Sequence, residues 1–212
     1  MRILIKFAKQ GSLRFISHHN LMKLFERAVR RAEIPVKMSK GYNPRPRISF
    51  PLALSVGIKG TNEKLELELC EWMQVSEIKS RLEKQLPENF QIDSVELVSA
   101  QQKSSVKDVT YTIKPRKGKM PDIGKINELL SKKVINTQRN GKKLTTFDIR
   151  PSIVSITTDT QFIGLELKMT PKGMARPVEI LSLLGLKLGE DYELSELVRT
   201  KVNLSSSGKA TC

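Results

Sequence analysis

A short basic segment, residues 40–47, carries the side chains of this sequence that are best suited to hold an anion. Its sequence Lys-Gly-Tyr-Asn-Pro-Arg-Pro-Arg sets Arg45 and Arg47 beside two prolines and close to Tyr42. Proline fixes φ and biases the preceding residue toward extended backbone, so we expect a short rigid arm. A guanidinium offers a planar fork of donors to phosphate or a base edge, and an aromatic ring can stack on a base. The segment therefore predicts nucleic-acid binding, with RNA as the first choice.

The predicted contact residues combine this arm with basic residues before and after it. They are Lys23, Arg27, Arg30, Arg31, Lys40, Tyr42, Asn43, Arg45, Arg47 and Arg176. Two structural alternatives stay open: the arm's arginines pair with Glu66 or Glu68 across a sheet, and the helix residues form an ordinary solvated face. Arg176 precedes Pro177 at a predicted helix N-terminus, where free N–H groups attract anions.

Two adjacent histidines, His18 and His19, are the candidates for acid–base chemistry because they open the first predicted helix. The alternative is that one of them packs or caps the helix and the other is simply exposed. Neighbouring positions on a helix point in different directions, so the pair does not predict a metal site. We expect neither a metal nor a cofactor in this chain.

Charge and cysteine content narrow the function classes. The 212 residues carry a formal net charge of +15, which favours a polyanionic partner. Residues 1–59 hold 13 lysines and arginines against two acidic residues, whereas residues 60–100 hold four basic residues against nine acidic ones. Two distant cysteines indicate a reducing, cytoplasmic compartment, and no segment is apolar enough to predict a signal peptide or a membrane span.

Hydrophobic periodicity predicts the elements that hold these residues. A strand over 2–7 continues or bends at 13–16, and Ser17 caps a helix with Leu21, Leu24, Phe25, Ala28 and Ala32 on one stripe. Pro35 ends this helix. Strict alternation predicts a strand over 64–69 with its acids facing water. Ser76 is predicted to cap a second helix. A last strand over 90–98 then completes a β-α-β-β-α-β unit. This unit also contains a short predicted strand at 36–38 and an irregular predicted strand at 48–56.

The second half repeats this order with an additional strand. We predict strands over 109–114, 134–139, 144–149, 153–157, 162–169 and 194–204, with helices opening at Pro121 or Asp122 and at Pro177. Asn140-Gly141 forms the turn of the first hairpin. The prediction is an α+β protein of two ferredoxin-like (βαββαβ) domains in tandem. The first spans 1–100, a linker spans 101–108, the second spans 109–204, and 205–212 form a disordered tail.

Several motifs resemble the radical-SAM-linked protein family. They are Arg2–Lys9, Leu13–His18, Phe25–Ala32, Lys40–Ile48, Pro51-Leu52 and Val56-Gly57, followed by Ala175–Pro177, Leu184–Leu186 and Arg199-Thr200. Members of this family of unknown function are often encoded beside, or fused to, a B12-binding radical SAM enzyme, frequently near ribosomal or RNA-processing genes. Asn20 stands where the family often has an aspartate, which argues against catalysis at that position.

The resemblance implies an accessory role in modifying RNA or a ribosomal component. A radical SAM cluster needs three closely spaced cysteines, so such chemistry would belong to a partner. We therefore expect an RNA-binding protein that presents RNA or a ribonucleoprotein to a radical SAM enzyme. One alternative is an RNA-processing or RNA-modifying enzyme, and another is a module that docks the radical SAM enzyme through the acidic stretch Glu63–Glu96.

Overall fold

The protein folds into two α+β units whose strands pair mainly in antiparallel fashion. The computed structural model describes residues 1–88, 90–98, 104–116, 119–140 and 144–206. One unit comprises Met1–Ser105 together with the chain from Leu204 onward, and the other comprises Val106–Asn203. The predicted α+β class is confirmed. No helix within the described residues is both long and apolar enough to cross a membrane.

The first unit has the element order β-α-β-β-α-β. Its elements are β1 (Arg2–Lys9), α1 (His18–Arg31), β2 (Ile48–Ser49), β3 (Lys59–Glu68), α2 (Val75–Glu83) and β4 (Gln91–Val98). The strands lie in the order β4-β1-β3-β2, and each neighbouring pair is antiparallel. Leu67 of β3 lies opposite both Ile3 of β1 and Ile48 of β2.

Side chains from alternate strand positions and from one stripe of each helix form the core of this unit. Phe7 of β1 packs against Phe25 of α1 with ring centroids 5.4 Å apart, and Phe90 stacks on Phe7 at 5.3 Å. Both Phe7 and Phe25 are fully buried. Ser17 caps α1 as predicted, because its hydroxyl accepts a hydrogen bond from the Asn20 N–H at 3.2 Å. The predicted stripe of α1 is its buried face, because Leu21, Phe25 and Ala28 are buried and Leu24 is partly buried.

Several local predictions for this unit are wrong. Residues Gly11–Phe15 form a 3₁₀ helix rather than strand, and only Ile48–Ser49 of the predicted strand over 48–56 is β-structure. Residues 36–38 make two isolated bridges, Val36 with Leu69 and Met38 with Pro46. The second helix begins at Val75 after Gln74, so Ser76 lies inside its first turn.

The second unit repeats the same strand order and adds a hairpin. Its elements are β5 (Ser104–Ile113), α3 (Ile123–Ser131), β6 (Asn136–Asn140), β7 (Leu144–Asp148), β8 (Ile153–Thr158), β9 (Ile163–Lys168), α4 (Pro177–Leu183) and β10 (Leu197–Ser206). The strands lie in the order β10-β5-β9-β8, while β6 and β7 pair only with each other. The strands predicted over 134–139 and 144–149 thus form a hairpin inserted between α3 and β8, and this hairpin adds two strands to the repeated order.

The boundaries in this half differ from those predicted. Residues 104–108 are the start of β5, with Asp108 opposite Lys168, so the predicted linker over 101–108 is wrong for these residues. Small serines followed by alternating residues fit a strand as well as a linker once a partner strand is available. Ser205 and Ser206 likewise end β10. Residues 101–103, 141–143 and 207–212, which contain the rest of the predicted linker, hairpin turn and tail, lie outside the described residues.

Candidate nucleic-acid interface

Helix α1 carries the first part of the predicted interface on its solvent side. Lys23, Arg27 and Arg30 are exposed, and each is about one helical turn from the next. Together with Glu26 they line a shallow depression of about 220 Å³. This spacing follows from the 3.6-residue repeat, which keeps them off the apolar stripe that faces the strands. The depression therefore carries three cations against one carboxylate.

Residues 37–47, which we call the arginine loop, bring the second part of the interface to the same region. The predicted rigid arm does not extend away from the protein, because the chain folds back on itself through three hydrogen bonds. The Arg47 N–H donates to the Lys37 carbonyl at 2.8 Å, the Ser39 N–H donates to the Arg45 carbonyl at 2.7 Å, and the Arg45 N–H donates to the Ser39 hydroxyl at 3.0 Å. Gly41 allows the reversal with φ of +131°, a region that residues with a side chain rarely adopt.

A contact between Arg30 and the loop holds the two parts together. One Nη of Arg30 donates a hydrogen bond to the Pro44 carbonyl at 3.3 Å. The loop is also anchored on the strand side, because the Lys37 N–H donates to the Glu68 carbonyl at 2.7 Å and the Glu68 N–H donates to the Arg47 carbonyl at 3.2 Å. The helix face and the loop tip are thus parts of one surface of the first unit.

Within the loop, Arg45 and Arg47 have different surroundings. Lys40, Tyr42, Asn43 and Arg45 are exposed, Tyr42 completely so. The side chain of Arg45 makes no hydrogen bond or ion pair with any residue of the described ranges. The guanidinium of Arg47, in contrast, lies 3.0 Å from a carboxylate oxygen of Glu68. The structural alternative that the sequence left open is therefore realised for Arg47.

Glu68 belongs to a small charge cluster on the strand surface. Arg2 of β1 lies 3.4 Å from Glu68 and 3.8 Å from Glu66. The hydrogen bond from Arg47, with further attraction from Arg47 and Arg2, holds the pKa of Glu68 below its ordinary value. The lowered pKa favours the ionised form of Glu68, which is the form that pairs with Arg47.

The other predicted residues line neither the depression on α1 nor the arginine loop. Arg31 donates to the Gln85 carbonyl after α2 at 3.0 Å. His18 and His19 are both exposed at the start of α1, and the rings of His18 and Phe50 form a T-shaped contact with their centroids 5.2 Å apart. In the second unit, the Arg176 N–H donates to Glu179 at 2.8 Å at the start of α4. Within the described ranges, no group of three or more His, Cys, Asp or Glu side chains is arranged to hold a metal ion.

A protein-family model matches residues 2–178, and its description reads "Uncharacterized protein conserved in bacteria (DUF2344)". The chain belongs to this family. The matched range contains α1, the arginine loop and Arg176, so every predicted contact residue lies in the part that defines DUF2344. No curated protein sequence matches the chain.

A chain in a solved structure entitled "Crystal Structure of a Cbf5-Nop10-Gar1 Complex" is similar in fold to this DUF2344 protein. The TM-score is 0.50 and the sequence identity is 11%, over 94% of this chain and 48% of the other. The DUF2344 chain thus corresponds to about half the length of that protein. At this identity the likeness concerns the fold alone.

The sequence reasoning missed the burial of acidic residues in this DUF2344 protein. Glu66 and Glu68 were expected to face water, but Glu66 is buried and Glu68 is half-buried; the preceding acidic residue of β3, Glu63, is buried as well. Farther along the acidic stretch, Glu77 pairs with Arg81 at 2.7 Å and Glu96 pairs with Lys6 at 2.6 Å. Some acidic side chains of the stretch are thus buried or ion-paired, and docking through this stretch stays a prediction. The only sequence signal was the basic residue Arg2 at the matching alternate position of the first strand.

Proposed function

We propose that this protein binds single-stranded RNA, or the RNA of a ribonucleoprotein, through the arginine loop and the basic face of α1, and that it presents this RNA to a radical SAM partner enzyme. The observation that carries the proposal is the hydrogen bond from Arg30 to the Pro44 carbonyl. It joins the helix cations and the exposed loop tip into one surface. The partner is suggested by the resemblance of the sequence motifs to the radical-SAM-linked family.

The chemistry of the surface favours a flexible single strand. The guanidinium of Arg45 has no ion pair within the described residues, so it can contact a phosphate without first losing a partner. Tyr42 offers a fully exposed ring, and unstacked bases of single-stranded RNA bind to such rings. The loop's hydrogen bonds fix its backbone before binding, which lowers the ordering cost that a flexible loop would incur.

The same proposal extends to the fold. Both units have a central four-strand order that the ferredoxin-like pattern also has, with β2 shortened in the first unit and the β6–β7 hairpin inserted in the second. We assign both units to that pattern.

The direct test measures binding of a fluorescent unstructured RNA oligomer as a function of salt concentration. Arg45→Ala removes one phosphate contact, and we expect about five-fold weaker binding at 0.1 M salt and a slope of log affinity against log salt that is smaller by about 0.7. Arg116→Ala is the matched control, because Arg116 pairs with Glu193 and Glu196 in the second unit. If the slope of log affinity against log salt were equal for the wild type and Arg45→Ala, the arginine loop would not be part of the RNA interface.

The partner is tested separately by affinity capture from cells, with and without nuclease. If the protein presents RNA, the radical SAM enzyme is recovered with the wild type and is lost after nuclease treatment or in the Arg45→Ala variant. Recovery that survives both treatments would assign the protein to direct docking instead.

A further inference from the structure

Residues of the arginine loop line one side of a cavity to which the function proposed above assigns no ligand. The cavity has a volume of about 340 Å³ and is lined by Arg2, Ser39, Pro46, Arg47, Ile48, Ser49, Glu66 and Glu68. This volume falls within the range of ligand pockets. All of its lining residues belong to the first unit, on the strand side of the loop.

One lining group is a buried acceptor without a donor. Glu66 is only 6% exposed, and its Oε1 atom accepts no hydrogen bond. Its other oxygen, Oε2, lies 3.8 Å from Arg2, beyond hydrogen-bond distance. A buried carboxylate oxygen that lacks a donor costs free energy, and a ligand that supplies an N–H donor would recover it.

The remaining lining narrows the class of ligand. Two arginines and two glutamates balance in formal charge, so a phosphate would meet two carboxylates as well as two guanidiniums, and the cavity favours a neutral polar guest. Pro46 and Ile48 provide apolar surface for a flat ring. A carboxylate is an acceptor only, while the neighbouring guanidinium of Arg47 is a donor only.

We propose that this cavity binds an unpaired guanine base of the RNA. Guanine is the common base whose pairing edge presents two adjacent N–H donors, N1–H and the N2 amino group, next to the O6 acceptor. The donors match the Glu66 carboxylate, and O6 matches an arginine donor. The inference rests on the proposed function in that it takes the guanine from RNA held by the loop.

The test compares binding of ten-residue oligouridine with the same oligomer carrying one internal guanosine, cytidine or adenosine. We expect the guanosine oligomer to bind at least about five-fold more tightly than oligouridine, as for one good base contact. Glu66→Gln keeps the size of the side chain but replaces one acceptor oxygen with a donor, and it should abolish the preference. Ser49→Trp, which fills the cavity and leaves its charges in place, should do the same and serves if Glu66→Gln fails to fold.

The outcomes separate this inference from the proposed function. Salt-dependent binding of all four oligomers without a guanine preference overturns the cavity assignment and leaves RNA binding by the loop intact. A preference for cytidine or adenosine also overturns it. If no oligomer binds, titration with the free mononucleotide 5′-GMP decides: binding by the wild type that is lost in Glu66→Gln supports the cavity without the loop, and no binding overturns both.

Discussion

The ion pair between Arg47 and Glu68 predicts a variant that binds RNA more tightly than the wild type. In the free protein, Glu68 holds the Arg47 guanidinium at 3.0 Å, so a phosphate must compete with a carboxylate for it. Glu68→Gln removes the negative charge and retains the shape of the side chain. Arg47 then becomes available as one additional phosphate contact.

The size of the gain follows from counterion release. For a single strand, each added contact steepens the dependence of log affinity on log salt by about 0.7, which makes binding about five-fold tighter at 0.1 M salt. The same relation gives about eight-fold at 50 mM and about three-fold at 200 mM. The measurement is a fluorescence anisotropy titration of one RNA oligomer at these three salt concentrations.

The matched control is Glu77→Gln, which changes the net charge equally but releases Arg81 on α2. We expect it to alter affinity by less than two-fold. If Glu68→Gln is folded and yet binds RNA no more tightly than the wild type at 50 mM salt, Arg47 does not contact RNA, and its ion pair is only structural.

The same variant makes a prediction about stability and pH. The pair is partly exposed, so its loss should cost about 0.5–1 kcal/mol of unfolding free energy. The folded-state pKa of Glu68 is depressed below its ordinary value of 4.5, so the contribution is present above pH 4.5 and is lost as the pH falls through the folded-state pKa. Denaturation of the wild type and Glu68→Gln should therefore differ at pH 7 and converge in acid. A difference that persists unchanged at pH 3 would contradict this account.

Three further variants test separate parts of the structure. Tyr42→Ala should weaken RNA binding by about 1–3 kcal/mol without changing the salt slope, whereas Tyr42→Phe should bind normally; a reduced slope would show that the residue acts through charge rather than stacking. Phe25→Ala should lower the unfolding free energy by about 3–5 kcal/mol because the ring is fully buried between aromatic neighbours; a loss below 1 kcal/mol would place Phe25 outside the tightly packed core. Arg139→Lys should destabilise the second unit by about 2 kcal/mol, measured by denaturation, because lysine cannot reproduce the two 2.7 Å hydrogen bonds that Arg139 donates to Glu179; an unchanged midpoint would show that this pair contributes nothing.

The sequence was most informative where one face of an element is buried and the other is solvated. The stripe of α1 follows from a repeat that the chain obeys locally, and its Ser17 cap follows from a hydrogen bond to a residue three positions along the chain. The start of α4 at Pro177 was also predicted correctly, because the fixed φ of proline suits the first turn of a helix.

The failures have a common physical cause, because they depend on partners that are distant in the chain. Alternation indicated which face Glu66 occupies but not that this face is covered, since covering residues come from elsewhere. Two prolines predicted an extended arm, but hydrogen bonds between residues six and ten positions apart close it into a loop. Whether Arg47 pairs with Glu68 was open in the sequence because strand register decides it.

The inserted β6–β7 hairpin affects how the sequences of the two halves of the chain should be compared. The strand orders β4-β1-β3-β2 and β10-β5-β9-β8 correspond position by position once β6 and β7 are set aside. An alignment of the two halves without a gap loses its register at the hairpin, between Ser131 and Ile153. Beyond that point it pairs strands that do not correspond. A search for gene duplication within this family should therefore compare the halves with that interval removed.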